Sequence, residues 1–384
     1  MRVLIVVPPL TGHVTPLRAV AAALDGHEVA WCGPEPLTSF LTGADVFPAG
    51  RSDPFDVGRR PADLRGFAAL RFLWQRYLLP LADAMAPGVR AACQQFGPDV
   101  ILADQQAFAG PLVARELGIP WATSASTPTE LADPLRGLPK VAEWIRGLER
   151  DLCLRHDVTP GDLRFSPDLV LAYTTPELTG TPCTPSVRYV GSVAAAPSTV
   201  DLDWLGLDGR PLVLATLGTA NVQSGTRFLS ECVDALAAIP EVQGLVVDPT
   251  GTLRSDKVLL FQRVPQVPLL RRASAVICHA GHNTVCESLA AGVPLILAPI
   301  RDDQHAVAQS VVAAGAGVRL RFDRARAEHI TLAVSTVLAT PGYTATARRL
   351  RGSLTSAGGA VAAARHLEAL VQGGRPCAPT PARR

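Results

Sequence analysis

Lysine is nearly absent from this chain. All but Lys140 and Lys257 of its 36 basic residues are arginine, and 34 acidic residues leave a formal charge of only +2. So balanced a chain lacks the basic face of a phosphate-neutralising nucleic-acid binder, and no nucleic-acid partner is expected. The small clusters Arg271-Arg272 and Arg348–Arg351 read as solvated helix faces. CxxC pairs are also missing: the eight cysteines are scattered, as befits reduced thiols in a cytosol. No apolar run approaches the ~20 residues that span a bilayer, so no stable membrane insertion is expected. The first apolar run is too short for a signal peptide and ends in Pro8-Pro9, and a cytoplasmic location is expected. The glycine pattern GxGxxG is absent after that run, which argues against a dinucleotide site there. No short repeat appears. Asp302-Asp303 has no further hard ligand nearby, so no metal is expected.

What is present is core. With 384 residues, 48% of them hydrophobic, the chain is expected to form two domains of nearly equal length. Strand patterns over 3–7, 27–33, 44–48, 99–103, 119–123 and 168–173 alternate with helices, including one opened by Thr15-Pro16 and two over 62–77 and 81–96. This is the α/β alternation of a doubly wound parallel sheet. Residues 191–208 lose hydrophobic periodicity, and a second series starts at 212–217, continuing through a helix at 224–238 and strands at 242–247 and 258–261. The expected organisation is a domain over 1–195, a linker over 196–209, a second domain over 210–345, a C-terminal helix over 346–371 and a disordered tail over 372–384.

The stretch from 275 to 304 carries most of the chemistry. It reads as a strand, the loop His279-Ala-Gly-His-Asn283, a helix capped by Asn283 and stopped by Gly292, a second strand, a loop over 300–304 and a helix from His305 to Ala314. In a parallel arrangement both loops leave the carboxyl ends of strands, the edge where open α/β sheets bind ligands. His279, His282, Asn283, Thr284, Asp302, Asp303 and Gln304 therefore face one crevice. His279, the amides around Gly281 and Thr284 suit a phosphate or diphosphate at a helix N-terminus. Thr219, after Gly218 and the 212–217 strand, adds donors for an anion, and Asp303 with Gln304 is the kind of pair that reads sugar hydroxyls. In the first half, His13 follows the first strand and Asp104 the fourth. If the winding order is 3-2-1-4-5, the two lie side by side, and a carboxylate on one imidazole nitrogen prepares the other to act as a general base. A helix-capping His13 with a solvated Asp104 is the plain alternative.

These residues resemble the nucleotide-sugar signature of family 1 glycosyltransferases of GT-B fold: His-x-Gly-x-Asn-Thr/Ser-x-x-Glu, then Gly-Val-Pro, Pro and Asp-Gln, which stand here in HAGHNTVCESLAAGVPLILAPIRDDQ. Gly12-His13, Asp104, Leu217-Gly218-Thr219 and Val264-Pro265-Gln266 occur in the family's order. The resemblance implies two Rossmann-like domains facing across a cleft, with the C-terminal helix returning to the first. It implies His13 as the base and Asp104 as its partner, and Thr219, His279, Asn283 and Thr284 on the diphosphate. Val264 would meet the nucleobase, Gln266 and Glu287 the ribose, and Asp303 and Gln304 the sugar. Three positions depart from the pattern: Arg263 stands where an aromatic often stacks on the base, His282 where plant members carry Trp, and Val307 where Asn is frequent. They resemble bacterial natural-product (antibiotic) members.

The implied activity is inverting transfer of a sugar, a deoxysugar or hexose, from a dTDP- or UDP-linked donor to a hydroxyl of an apolar aglycone, with the donor as substrate and no cofactor. Phe55, Phe72, Trp74, Phe108 and Trp144 lie in the segments where the family builds its acceptor pocket. C-, N- or S-glycosylation, a non-catalytic nucleotide-sugar-binding homologue and a nucleotide-sugar epimerase are the alternatives. Sugar, aglycone and oligomeric state stay open, a homodimer among the options.

Overall fold

A computed structural model describes residues 1–35, 45–51, 64, 66–132, 135, 137–180, 182, 184–193, 200–218 and 222–373. Two parallel sheets organise them. The first contains β1 (Arg2–Val6), β2 (Glu28–Glu35), β3 (Asp45–Arg51), β4 (Val100–Asp104), β5 (Trp121–Ala125), β6 (Val170–Ala172) and β7 (Val187–Tyr189), in spatial order β3-β2-β1-β4-β5-β6-β7. The second contains β8 (Leu212–Thr216), β9 (Gln243–Val247), β10 (Leu259–Phe261), β11 (Ala273–Cys278), β12 (Leu295–Leu297) and β13 (Gly317–Arg319), in order β10-β9-β8-β11-β12-β13. Both are wound 3-2-1-4-5-6, with a seventh strand at the end of the first, so the doubly wound α/β architecture read from the sequence is observed twice. The winding reverses between β1 and β4 in one sheet and between β8 and β11 in the other. Strands at these switch points are buried on both faces and read as continuous apolar runs (Val3–Val6, Val276–Cys278).

Helices cover both faces of each sheet. In the first half they are α1 (Thr11–Ala23), α2 (Gly66–Phe72), α3 (Leu79–Phe96), α4 (Ala109–Leu117), α5 (Pro139–Arg155) and α6 (Pro176–Thr179). In the second they are α7 (Val222–Ala237), α8 (Gln266–Leu270), α9 (His282–Ala290), α10 (Gln304–Ala314), α11 (Ala327–Ala339), α12 (Pro341–Ser356) and α13 (Gly359–Gly373). Among the described residues, no helix is long and apolar enough to cross a membrane. The six described cysteines are free and buried.

Several local readings need correction. The first helix begins at Thr11, and Pro16 lies inside it rather than at its first position. Asn283 is within the first turn of α9, whose N-cap is Gly281. The helices read over 62–77 and 81–96 are continuous from Gly66 to Phe96 through a π-turn at Leu73–Leu78, where the Leu79 amide bonds the Trp74 carbonyl five residues back, next to Pro80 with no amide to give. The single C-terminal helix is two. Gly358 and Gly359, at φ of 89° and 59°, turn the chain between α12 and α13.

That break decides which sheet each helix joins. Ala347, Leu350 and Leu354 of α12 pack with Val285 and Leu289 of α9, whereas Ala363, Ala364 and Leu367 of α13 pack with Leu17 and Val20 of α1. At the crossing the two passages of chain bond each other: Ser192 N–H donates to the Leu354 carbonyl at 3.2 Å and Gly359 N–H to the Val190 carbonyl at 2.8 Å. Gly191 fits because it has no side chain; a Cβ there would lie 1.9 Å from the Leu354 carbonyl oxygen. Residues 194–199, at the start of the linker read from the sequence, and 374–384, most of the expected tail, lie outside the described residues.

Candidate active site

The first switch point brings His13 to Asp104. β4 ends on Asp104, whose side chain is fully buried, and the first turn of α1 carries His13, whose side chain is 15% exposed. His13 Nδ1 is 2.9 Å from Asp104 Oδ1, and the Gln106 amide donates to the same oxygen at 2.9 Å. Burial lowers the pKa of His13. The Asp104 charge, its hydrogen bond and the Asp303 charge across the cleft outweigh burial, and the net shift is upward. Ser126 is a partner that the sequence reading missed: its Oγ is 2.8 Å from His13 Nδ1. It immediately follows β5, so the carboxyl-edge rule that located His13 and Asp104 was the signal that could have found it.

The second switch point builds a cradle around a different histidine. His279 follows β11 and is 9% exposed. Its ring lies between two glycines: a Cβ on Gly281 would stand 2.3 Å from Nε2, and one on Gly218 would stand 2.9 Å from Cε1. The turn passes through Ala280 at φ 63°, a strained value for a residue with a side chain. Burial first, then the Arg301 charge, push the pKa of His279 down to about 4, so the ring is neutral at physiological pH. Its Nδ1 is buried with no partner. Gly281 has no side chain with which to cap α9, so the first amides of that helix point outward unpaired, a ready anion site.

Other predicted positions fall around this centre. Gln266 Nε2 donates to Glu287 Oε2 at 2.6 Å and lies 3.5 Å from Thr284 Oγ1, which joins α8 to α9 in one polar group. Burial raises the pKa of Glu287, against the Gln266 hydrogen bond. Asp303 precedes α10; burial, then the Asp302 charge, raise its carboxyl to about 6, with His13 pulling the other way. Gln304 Oε1 accepts from the Ile300 and Arg301 amides at 2.9 and 3.0 Å, so its carbonyl braces the loop. Val264 is half-buried against the core and Arg263 is exposed.

His282 and Asn283 reach the other sheet: His282 Nε2 lies 3.1 Å from the Tyr173 carbonyl, and Asn283 Nδ2 donates to the Gly12 carbonyl at 2.7 Å. Burial pushes the pKa of His282 down to about 4. Thr219 and Phe55 lie outside the described residues. Of the aromatic set, Trp74 and Phe108 pack on each other at 5.4 Å between ring centroids and are 3% and 1% exposed. Both belong to the buried apolar cluster that α3 and the first sheet share. Phe72 and Trp144 are half-buried, and Trp144 meets the exposed Phe67 edge-on at 5.2 Å.

Chemically, a buried His–Asp pair on one sheet edge can accept a proton, while the opposite edge offers amides and a neutral imidazole to an anion. Among the described residues no group of three His, Cys, Asp or Glu side chains could hold a metal ion.

Comparison with known proteins gives the family. The family model described as UDP-glucoronosyl and UDP-glucosyl transferase matches residues 180–353. The 4'-demethylrebeccamycin synthase of Lentzea aerocolonigenes is 30% identical, with 96% of this chain and 99% of that protein covered. Among solved structures, the calicheamicin glycosyltransferase CalG4 superposes with a TM-score of 0.80 at 22% identity, covering 98% of this chain and 99% of that one. The spinosyn rhamnosyltransferase SpnG complexed with thymidine diphosphate gives 0.77 at 24% identity over 96% and 100%.

Proposed function

The chain belongs to the UDP-glucoronosyl and UDP-glucosyl transferase family, as a nucleotide-sugar-dependent glycosyltransferase of GT-B fold; on that premise we propose that it transfers a sugar from a dTDP- or UDP-linked donor to a hydroxyl of an apolar natural product, with inversion. The observation that carries this reading is the His13–Asp104 pair at 2.9 Å, buried at the edge that faces the His279 cradle.

In this scheme Nδ1–H of His13 donates to Asp104, which leaves the Nε2 lone pair for the acceptor hydroxyl. As the hydroxyl proton moves to Nε2, the acceptor oxygen attacks the anomeric carbon from the face opposite the diphosphate. The carbon–oxygen bond to the diphosphate breaks, and configuration inverts in one displacement. Asp104 stabilises the imidazolium that forms. Charge on the leaving diphosphate is met by the unpaired amides opening α9, by His279 and Thr284, and by the helix dipole, worth ~0.3–2 kcal/mol for a charge at a helix end. In this reading Gln266 and Glu287 hold ribose hydroxyls, and Asp303 with the amide nitrogen of Gln304 holds the sugar. The donor is a substrate, and no cofactor enters the scheme. The thymidine diphosphate in one SpnG complex and the spinosyn aglycone in another support the donor and acceptor classes.

Replacing His13 with Ala tests the reading. Transfer to an alcohol should fall by ~10²–10⁴-fold while a nucleoside diphosphate still binds, measured by turnover and by calorimetry. Wild-type turnover in that variant would remove His13 from the role of base.

A further inference from the structure

Pro16 lies in the interior of α1. In an unbroken helix the amide of residue 16 would bond the carbonyl of Gly12, four residues back. Proline has no amide, and its ring pushes that carbonyl away from the helix axis. The carbonyl so released accepts the side-chain amide of Asn283, 271 residues further along the chain, at 2.7 Å. Beside it, His282 Nε2 lies 3.1 Å from the Tyr173 carbonyl, just past the last pairing of β6 with β7. Two consecutive side chains in the first turn of α9 thus hold two backbone carbonyls on the edge of the other sheet.

The surroundings show why these bonds matter. Next to them lies a cavity of about 130 Å³, lined by Pro128, Thr174 and Leu178 from the first half and by His282, Val285 and Val311 from the second. Leu178 joins the two edges in an apolar contact with Val285, Val307 and Val311, the cavity interrupts that contact, and the two directional bonds stand beside the gap. Gly12 adjoins His13, and Asn283 stands in the turn that follows the His279 cradle.

We propose that Asn283 is a positioning residue: by bonding the carbonyl that Pro16 frees, it fixes the first turn of α1, and with it His13, at a set distance from the anion cradle. An asparagine amide has two hydrogens. One goes to Gly12, and that bond ties the alignment of the base to this side chain. The inference rests on His13 as base. It predicts a separation that a simple diphosphate ligand would not show, because misplacing a reacting group by about 1 Å can cost ~10²-fold in rate without weakening ground-state binding.

The experiment compares wild type with Asn283→Ala. Kcat should fall ~10–100-fold, the Kd of a nucleoside diphosphate (dTDP and UDP each tested) should stay within ~3-fold, and small-angle scattering of the donor-free protein should show a larger radius of gyration. A Kd raised ~10-fold or more with unchanged scattering overturns the proposal and leaves Asn283 a diphosphate ligand only; unchanged kcat overturns it as well. If that variant does not accumulate, Pro16→Ala decides. It returns a helical donor to Gly12 and draws the carbonyl back to the axis, so kcat should fall ~2–10-fold with Kd retained, whereas wild-type kcat overturns the proposal. Nucleotide affinity and scattering need no acceptor, so an error in the acceptor assignment would leave the binding and scattering results intact.

Discussion

His13 and His279 stand on opposite sides of equivalent switch points, the first after the opening strand of its sheet and the second after the fourth strand of the other. Each follows a strand that borders its switch point, and each is largely shielded from water. Their acidities nevertheless move apart. His13 is held above its ordinary value, because the pull of burial is outweighed by Asp104 and, across the cleft, Asp303. Among the described residues no carboxylate shifts His279; burial and Arg301 take it down to about 4. A histidine at a sheet edge thus becomes a proton acceptor or a neutral donor according to what the neighbouring strand ends bring. β4 brings a carboxylate to the first, and β8 brings Gly218, with no side chain at all, to the second.

The largest expected effect comes from removing the carboxylate that makes the difference. Asp104→Asn keeps the shape of the pair but weakens the hold on the tautomer and on the imidazolium, and kcat should fall ~10²–10⁴-fold at saturating donor with nucleotide affinity unchanged. A loss below ~10-fold would mean that the two histidines do not differ in the way proposed. Breaking the cradle is the next test. Gly281 has φ −64°, which alanine accepts, so Gly281→Ala introduces only the contact of its Cβ with His279 Nε2 at 2.3 Å. Overpacking of this kind costs ~1–3 kcal/mol, and the donor Kd should rise ~5–100-fold with a smaller change in the acid–base step, as titration calorimetry would show. An unaltered Kd would place the anion elsewhere.

How far these features were legible varies with how local they are. The strand-ending positions of His13, Asp104 and His279 could be read because apolar runs, glycines and the switch-point rule act within a few residues. The pairing of Ser126 with His13 needed the position of β5 beside β4, and the bond from Asn283 to Gly12 needed the orientation of one sheet to the other. Pro16 was visible, but it read as a helix start, since proline is favoured there, and only the tertiary contact shows what its missing amide releases. Aromatic residues were the least legible. Trp74 and Phe108 suit an apolar pocket and an apolar core equally by composition, and burial chose the core.

A third test acts on charge across the cleft. Deprotonated His13 is the working base, so kcat/KM should rise with pH along an acid limb centred above 6.5. Asp303 is one of the charges holding that value up, and Asp303→Asn should move the limb to lower pH even as sugar binding weakens. A limb that stays in place would show that the two edges are too far apart in solution for Asp303 to act on His13.

The smallest effect is on stability, and its sign separates the two histidines. His279 titrates near 4 in the folded chain and near 6.5 unfolded, so between those values the unfolded state binds the extra proton. Stability assigned to a neutral His279 is therefore present above pH 6.5 and lost as pH falls towards 4, at ~1.4 kcal/mol per pH unit. His282, also near 4, acts the same way, while Asp303, raised to about 6, opposes it below pH 6 because the folded chain there keeps the proton. The total slope mixes these with other buried groups, Glu149 raised to about 7 among them, but the difference between wild type and His279→Asn isolates one. In denaturant titrations across that window, the variant should lose less stability on acidification than wild type. For His13 the folded value is raised, so its contribution is present below 6.5 and lost as pH rises through that higher value, and the His13→Asn difference curve should slope the other way. Two difference curves of the same sign would mean that the folded chain does not hold these two rings in opposite electrostatic surroundings.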